Sequence, residues 1–390
     1  MSRDRVPRGG PGACVIGEID LVRALGLAGI GSVVVSPPGD FTRYSRHKRA
    51  AISRLDAASQ PERLVDRLVE FARGRPEPPV LYYNGDWDLL MVSRFREQLG
   101  EVFRFVIPDA ELVEDLVNKR RFQERAAELD LPVPRAFELI AGDELPAVEL
   151  RYPLVVKPLT REHSTWQPLA RAKVRAVATP QELRALCDEL APAGVDVLVQ
   201  EEVPGPETLI ESHHVYVGED GEVVGEFTGR KIRTYPAAYG YSTALEVSDA
   251  QDVAALGRDM LARLGFRGVA KLDFKRHPDD GSLHLLEINP RFNLWHHPGA
   301  KAGVNIPALV YRDLNGLPRV AGAKARAGVR WCSPWRDFQA VRESGESVMR
   351  WLPWMAGTEA KCAVAWDDPF PLPSAVAYRV ARLGRPADRR

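Results

Sequence analysis

Cysteine is scarce in this sequence: four residues, Cys14, Cys187, Cys332 and Cys362, none in a CxxC or CxH spacing. Neither a zinc site nor a disulfide framework is indicated, and four reduced thiols are expected. A charge excess of either sign is missing too, since Lys plus Arg number 53 and Asp plus Glu number 53. Nothing global therefore draws the chain to nucleic acid or an anionic membrane, and any anion must be met locally. No run approaches the roughly 18 apolar residues of a membrane span. The start, MSRDRVPRGGPG, leads into the short run ACVIG rather than the apolar stretch of a secretion leader. A cytoplasmic protein is expected. Internal repeats and low-complexity tracts are also absent.

What is present is length and alternation. A chain of 390 residues exceeds what one compact core usually holds, so two or three packed units are expected. ACVIG (13–17), SVVVSPPGD (32–40), VLYYNGD (80–86) and FRFVIPD (103–109) read as strands, with helices over DLVRALGLAGI, the run 61–74 and the run reaching Leu99. This is the β-α alternation of a doubly wound parallel sheet, a Rossmann-like domain over 1–108. It has no GxGxxG, which disfavours dinucleotide binding, and Asp86 or Asp88 stands at a strand end, where polar site residues of such sheets collect.

From Asp109 the pattern changes to one long charged helix and then short extended runs. A two-lobed α+β unit is expected over 109–320, with a small lobe at about 120–202 and a large lobe at about 203–320. The large lobe contains hairpins turning at GEDGE (218–222) and HPDDGS (277–282) and a helix near 248–264. Residues 321–390 read as a helical C-terminal extension. Its five tryptophans, Trp331, Trp335, Trp351, Trp354 and Trp366, are expected to pack within it.

The stretch GVAKLDFKRHPDDGSLHLLEINPR carries the strongest chemical signal. Read as one hairpin turning near Asp280, it places Val269, Lys271, Asp273 and Lys275 on one face, and Leu283, Leu285, Glu287 and Asn289 on one face of the partner strand. Asp273 then falls opposite Glu287 and Lys271 opposite Asn289. Facing carboxylates repel unless a cation sits between them. Two carboxylates and an amide oxygen suit Mg²⁺, which takes its remaining ligands from water and phosphate. Taken singly, Asp273 reads as a surface residue and Glu287 as a partner of Lys271.

LDFKRHPDDGSLHLLEINPRF resembles the metal-binding hairpin of the ATP-grasp superfamily, most closely its carboxylate-amine ligase branch (D-aspartate ligase-like and carbamoyl-phosphate-synthase-like). Asp273 stands where that pattern usually has Glu. The resemblance extends over about 105–318 and implies an N-terminal pre-ATP-grasp domain followed by a two-lobed ATP-grasp fold. It implies ATP and Mg²⁺ as cofactors, with one or two ions and Mn²⁺ able to substitute. Metal ligands would be Asp273, Glu287 and Asn289. Lys119 in VNKRRF and Lys157 in YPLVVKP would meet the phosphates. In VLVQEEVPGPETL, Glu201 and the backbone near Glu202 and Val203 would hold adenine, and Glu207 the ribose. Arg291, with Lys157, would offset developing charge, and Lys231 and Arg233 of TGRKIRTYPAAYG, on one strand face, would meet phosphate or a substrate carboxylate as catalytic residues, the alternative being an edge strand protected by charge.

The implied activity is ADP-forming ligation of a small-molecule carboxylate to an amine through an acyl phosphate. The alternative is an ATP-binding protein of this fold without ligase turnover, a sensor or scaffold. Two departures stand out: TREHSTWQPLARAK (160–173) has no glycine where many members have a glycine-rich flap, leaving Ser164, Thr165 and Lys173 as donors, and FNLWHHPGAK adds His296 and His297, read as structural. AGVNIPALVYRDLNG resembles the closing helix of the family. Monomer and homodimer both remain open.

Overall fold

The computed structural model describes residues 10, 12–146, 149–159, 166, 174–319 and 322–383. The first unit is a parallel sheet of β1 (Ala13–Ile16), β2 (Ser32–Ser36), β3 (Lys48–Ser53) and β4 (Val80–Tyr83), ordered β3-β2-β1-β4. β1, β2 and β4 are buried along their whole length, because helices cover both faces of such a sheet. The helix Pro61–Arg73 buries Leu64, Val65, Leu68, Val69 and Ala72, one stripe at helical spacing, and has a proline at its first turn. Two details differ from the sequence reading. Residues 48–53 form the edge strand, only half-buried and therefore without an apolar signature. The expected strand at 103–109 is reduced to a single bridge from Arg104 to Val80.

The charged segment after Asp109 is two helices rather than one, Ala110–Val117 and Lys119–Glu128. Asn118 breaks it: its extended backbone starts a new helix, and its side-chain oxygen accepts from the N–H groups of Arg120 at 2.9 Å and Arg121 at 3.3 Å. Lys119 thereby becomes the first residue of the second helix.

The small lobe is an antiparallel sheet of β5 (Ala136–Leu139), β6 (Leu154–Pro158), β7 (Arg175–Val177) and β8 (Val197–Glu201), ordered β5-β8-β6-β7. The helix Pro180–Leu190, capped by Thr179, lays Leu183, Leu186 and Leu190 on it. The large lobe is built on β9 (Ile210–Val217), β10 (Val223–Tyr235), β11 (Tyr241–Ser248), β12 (Gly268–Arg276), β13 (Leu283–Asn289), β14 (Arg330–Cys332) and β15 (Ala360–Lys361). They form one seven-stranded sheet, ordered β13-β12-β9-β10-β11-β14-β15.

The segment after residue 321, expected to be helical, does contribute the helices Pro334–Ser344, Val348–Ala356 and Pro371–Leu383, but it also supplies the last two strands of that sheet. Strands of three and two residues leave no periodicity to read. The same segment reaches back to the first unit. Asp368, fully buried, accepts from Arg23 Nε at 3.0 Å, Ser45 Oγ at 2.9 Å and the Arg46 N–H at 2.8 Å. Trp331 and Trp351 pack inside, whereas Trp366 is 93% exposed. No helix among the described residues is long and apolar enough to cross a membrane.

Candidate active site

β12 and β13 pair in the expected register, Asp273 opposite Glu287 and Lys271 opposite Asn289. The register shifts just beyond, between Asp273 and Phe274, which corrects one expectation. Leu285 does not share a face with Glu287; it pairs with Phe274, and both lie in the apolar core. The bulge inserts one residue into β13 and so turns the acidic pair to one side while the strand continues its apolar packing on the other.

The carboxylate of Asp273 accepts from Ser212 Oγ on β9 at 2.5 Å and from Lys271 Nζ at 2.6 Å. Asn289 Nδ2 donates to Glu287 Oε1 at 3.0 Å, and Asn289 Oδ1 accepts from Arg291 Nη2 at 3.3 Å. Two acidic groups and an amide thus converge on one patch with the Lys271 ammonium among them. The donor set fits a hard cation. Among the described residues no three His, Cys, Asp or Glu side chains converge on a common point, so an ion here would complete its shell from phosphate and water.

Facing this hairpin, Lys119, Lys157 and Glu287 line one pocket together with Phe122, Leu198 and Ile288. Lys157 rises from the middle of β6, its ammonium 2.9 Å from Gln200 Oε1. Burial pushes its pKa down, and Glu287 pulls it back up. Burial and the Lys157 charge together lower Lys119 to about 8. Two ammonium groups share this partly closed pocket with the single carboxylate of Glu287, and a polyphosphate would supply further negative charge to both.

The end of β8 and the segment after it place Glu201, Glu202, Val203 and Glu207 in sequence. Glu201 is buried and holds the Arg151 N–H at 3.0 Å, with the Arg151 and Arg135 guanidiniums at 3.3 and 3.8 Å. Glu202 accepts from the Tyr239 hydroxyl. Val203 is buried. Glu207 sits between two ammonium groups, Lys231 at 3.5 Å and Lys275 at 3.9 Å. Lys275 gave no sequence signal of its own beyond its place on the hairpin.

Arg291 bridges units. Its Nε is 2.5 Å from Asp86 Oδ1, and Nη1 donates to the Asn84 carbonyl at 2.8 Å, both at the end of β4. The two aspartates suggested for that strand end are thereby separated. Asp86 meets Arg291, whereas Asp88 turns inward, fully buried, to accept from the Gly85 N–H and pair with Arg54.

Arg233 is not brought to these residues. Bulges on either side of it in the β10–β11 pairing take it out of line with Lys231. Its guanidinium makes two bonds to the buried Asp337, at 2.9 and 2.8 Å, and stacks on Trp354 at 4.2 Å. His297 bonds Asp20 at 2.9 Å and ties the helix His296–Ala302 to the first unit. The loop residues Ser164, Thr165 and Lys173 lie outside the described residues.

No protein-family model matches the chain. It is 27% identical over 286 residues to the D-aspartate ligase of Enterococcus faecium (strain Aus0004), covering 70% of this chain and 68% of that protein. Its fold is similar to an ADP complex of the N5-carboxyaminoimidazole ribonucleotide synthetase PurK, with a TM-score of 0.62 at 14% identity over 85% of this chain and 82% of that one. It is also similar to the L-amino acid ligase of Bacillus licheniformis, with a TM-score of 0.59 at 16% identity over 79% and 75% of the two chains. A parallel domain, a small antiparallel lobe and a large, mainly antiparallel lobe follow one another along the chain, and together they have the ATP-grasp fold of these structures.

Proposed function

We propose that the protein is an ATP- and magnesium-dependent ligase that joins a carboxylate to an amine, releasing ADP and phosphate through an acyl phosphate. The observation that carries this reading is the facing pair Asp273 and Glu287, of which Glu287 lines one pocket with Lys119 and Lys157. Asp273, Glu287 and Asn289 would hold the magnesium, which when bound neutralises and aligns the phosphates. Lys119 and Lys157 hold the polyphosphate. Glu201, Glu202 and Val203 border the adenine, and Glu207 the ribose.

In the reaction, a substrate carboxylate oxygen attacks the γ-phosphorus, the bond to the β-phosphate oxygen breaks, and ADP leaves. The amine nitrogen then attacks the acyl carbon, the carbon–oxygen bond to phosphate breaks, and the nitrogen gives up a proton to solvent or to the departing phosphate. The chain's part is alignment and charge stabilisation. Arg291 and Lys231 carry that charge. Arg291, anchored to Asp86, would fix the hairpin against the first unit, where the small-molecule substrate is received. The role proposed for Arg233 is to hold the helix Pro334–Ser344 in place. The relative whose name is D-aspartate ligase favours an amino acid as the activated carboxylate.

The test is ADP release with intact-mass detection of products, using the purified chain, ATP, Mg²⁺ and pooled amino acids and amines. The reading expects ADP formation that depends on one pool and a product mass equal to the sum of two substrates minus water. ATP binding without ADP release in any pool would favour the sensor or scaffold instead.

A further inference from the structure

His214 is out of keeping with its surroundings. It lies on β9, fully buried, and neither ring nitrogen has a hydrogen-bond partner among the described residues. A buried polar group left unpaired forfeits the hydrogen bonds it would make in water. Its ring is fixed, stacked on Phe227 at 4.6 Å and tilted against Trp295 at 4.8 Å. The ring therefore cannot turn to water, and any partner must come to it. Burial, with Lys271, His296 and His213 nearby, drives its pKa well below the ordinary histidine value, so it is a neutral ring with a free acceptor nitrogen.

The residue directly opposite His214 in the β12–β9 ladder is Lys271. Directly opposed side chains start about 5 Å apart at Cβ, well within the reach of a lysine. Lys271 is now committed elsewhere, with its ammonium 2.6 Å from Asp273 Oδ2. That position is untenable once a divalent cation takes the same carboxylate, because two cations then share one site.

We propose that Lys271 is an internal counter-ion with two seats: it occupies Asp273 until the metal–nucleotide complex arrives, and then moves to His214. This rests on the hairpin being the metal site and adds a device to it. The ammonium keeps the facing carboxylates compatible in the empty protein, and the orphan ring of His214 receives it on loading. Neither seat is exposed, so the exchange is confined to the strands β12 and β9. The neighbouring His296, also buried and without a hydrogen-bond partner among the described residues, lies with its ring centroid 6.4 Å from that of His214.

The test is Mn²⁺ titration by electron paramagnetic resonance on the full chain, with ADP present and absent. Lys271→Met removes the competitor and should tighten Mn²⁺ by about tenfold, the scale of one charge-assisted hydrogen bond. His214→Phe removes the second seat and should weaken Mn²⁺ several-fold. In the Lys271→Met background the His214→Phe change should have no effect. Because the His214 variant could fail to fold, ¹⁵N-histidine spectra of the wild-type chain supply a second reading: Mg²⁺ with ADP should shift one His214 ring nitrogen from a free to a hydrogen-bonded acceptor. Unchanged His214 resonances, or an equal loss of affinity from His214→Phe with and without Lys271, would overturn the exchange alone. Failure of the wild-type chain to bind Mn²⁺ would overturn the hairpin reading and this inference with it.

Discussion

Asp273 and Glu287 face each other across the β12–β13 ladder, and the Lys271 ammonium lies 2.6 Å from Asp273. The pair is buried on its flanks by Ser212 and Asn289, each hydrogen-bonded to one carboxylate. An arrangement that repels itself when empty and is complementary to a divalent ion sets the first expectation. Asp273→Asn and Glu287→Gln should each lower kcat/KM for ADP formation by about a hundredfold or more, as removal of a preorganised charge does, while far-ultraviolet circular dichroism stays unchanged. Wild-type turnover in both variants would contradict it.

Lys119 gives nucleotide binding a pH dependence. Its pKa is lowered to about 8 by burial and Lys157, and bound phosphate favours the charged form, raising that value. The sign follows: below about 8 the ammonium is present in free and bound protein alike, and above it binding must take up a proton. ATP affinity should therefore fall as pH rises through about 8. Lys119→Met should bind more weakly at neutral pH and lose that step. Fluorescence titration of a nucleotide analogue between pH 7 and 9.5 reads both.

How much of this was legible in the sequence depended on how local the signal was. The Asp273–Glu287 register follows from alternation and one turn, both local, and was readable. The bulge that turns Leu285 into the core was not, because nothing in LHLLEIN marks which residue is extra. The partner of Arg233 lies 104 positions away at Asp337, a distance no strand pattern encodes. The same holds for Arg291 and Asp86, although each was singled out separately: the sequence marked both ends without showing that they meet. His214 gave no signal, since a histidine in an apolar strand is unremarkable until its lack of a partner is seen.

Arg233 separates stability from chemistry. Asp337 is fully buried and accepts from Arg233, Thr243 Oγ1 at 2.8 Å and Trp351 Nε1 at 2.7 Å. Arg233→Ala leaves that carboxylate without its cation and should destabilise the fold by about 3–5 kcal/mol, as breaking a buried pair does. Urea unfolding measures this. A variant as stable as wild type with ligation abolished would return Arg233 to the chemistry.

The last segment should be integral to the fold. Arg23 is only 2% exposed and Asp368 is fully buried, so Asp368→Ala strands a guanidinium inside the protein at a similar cost of about 3–5 kcal/mol. Replacing both, Arg23→Met with Asp368→Leu, should recover much of it. An exposed pair such as Arg120 with Glu124 should change stability by less than about 1 kcal/mol when broken. Equal effects at the two pairs would contradict the buried seat.

The most direct measurement is anomalous diffraction from crystals grown with ADP and Mn²⁺. The account predicts a manganese peak in coordination contact with Asp273, Glu287 and Asn289 oxygens, the polyphosphate between it and the ammonium groups of Lys119 and Lys157, and Lys271 withdrawn from Asp273. A peak elsewhere, with both carboxylates turned to bulk water and Lys271 still on Asp273, would contradict it.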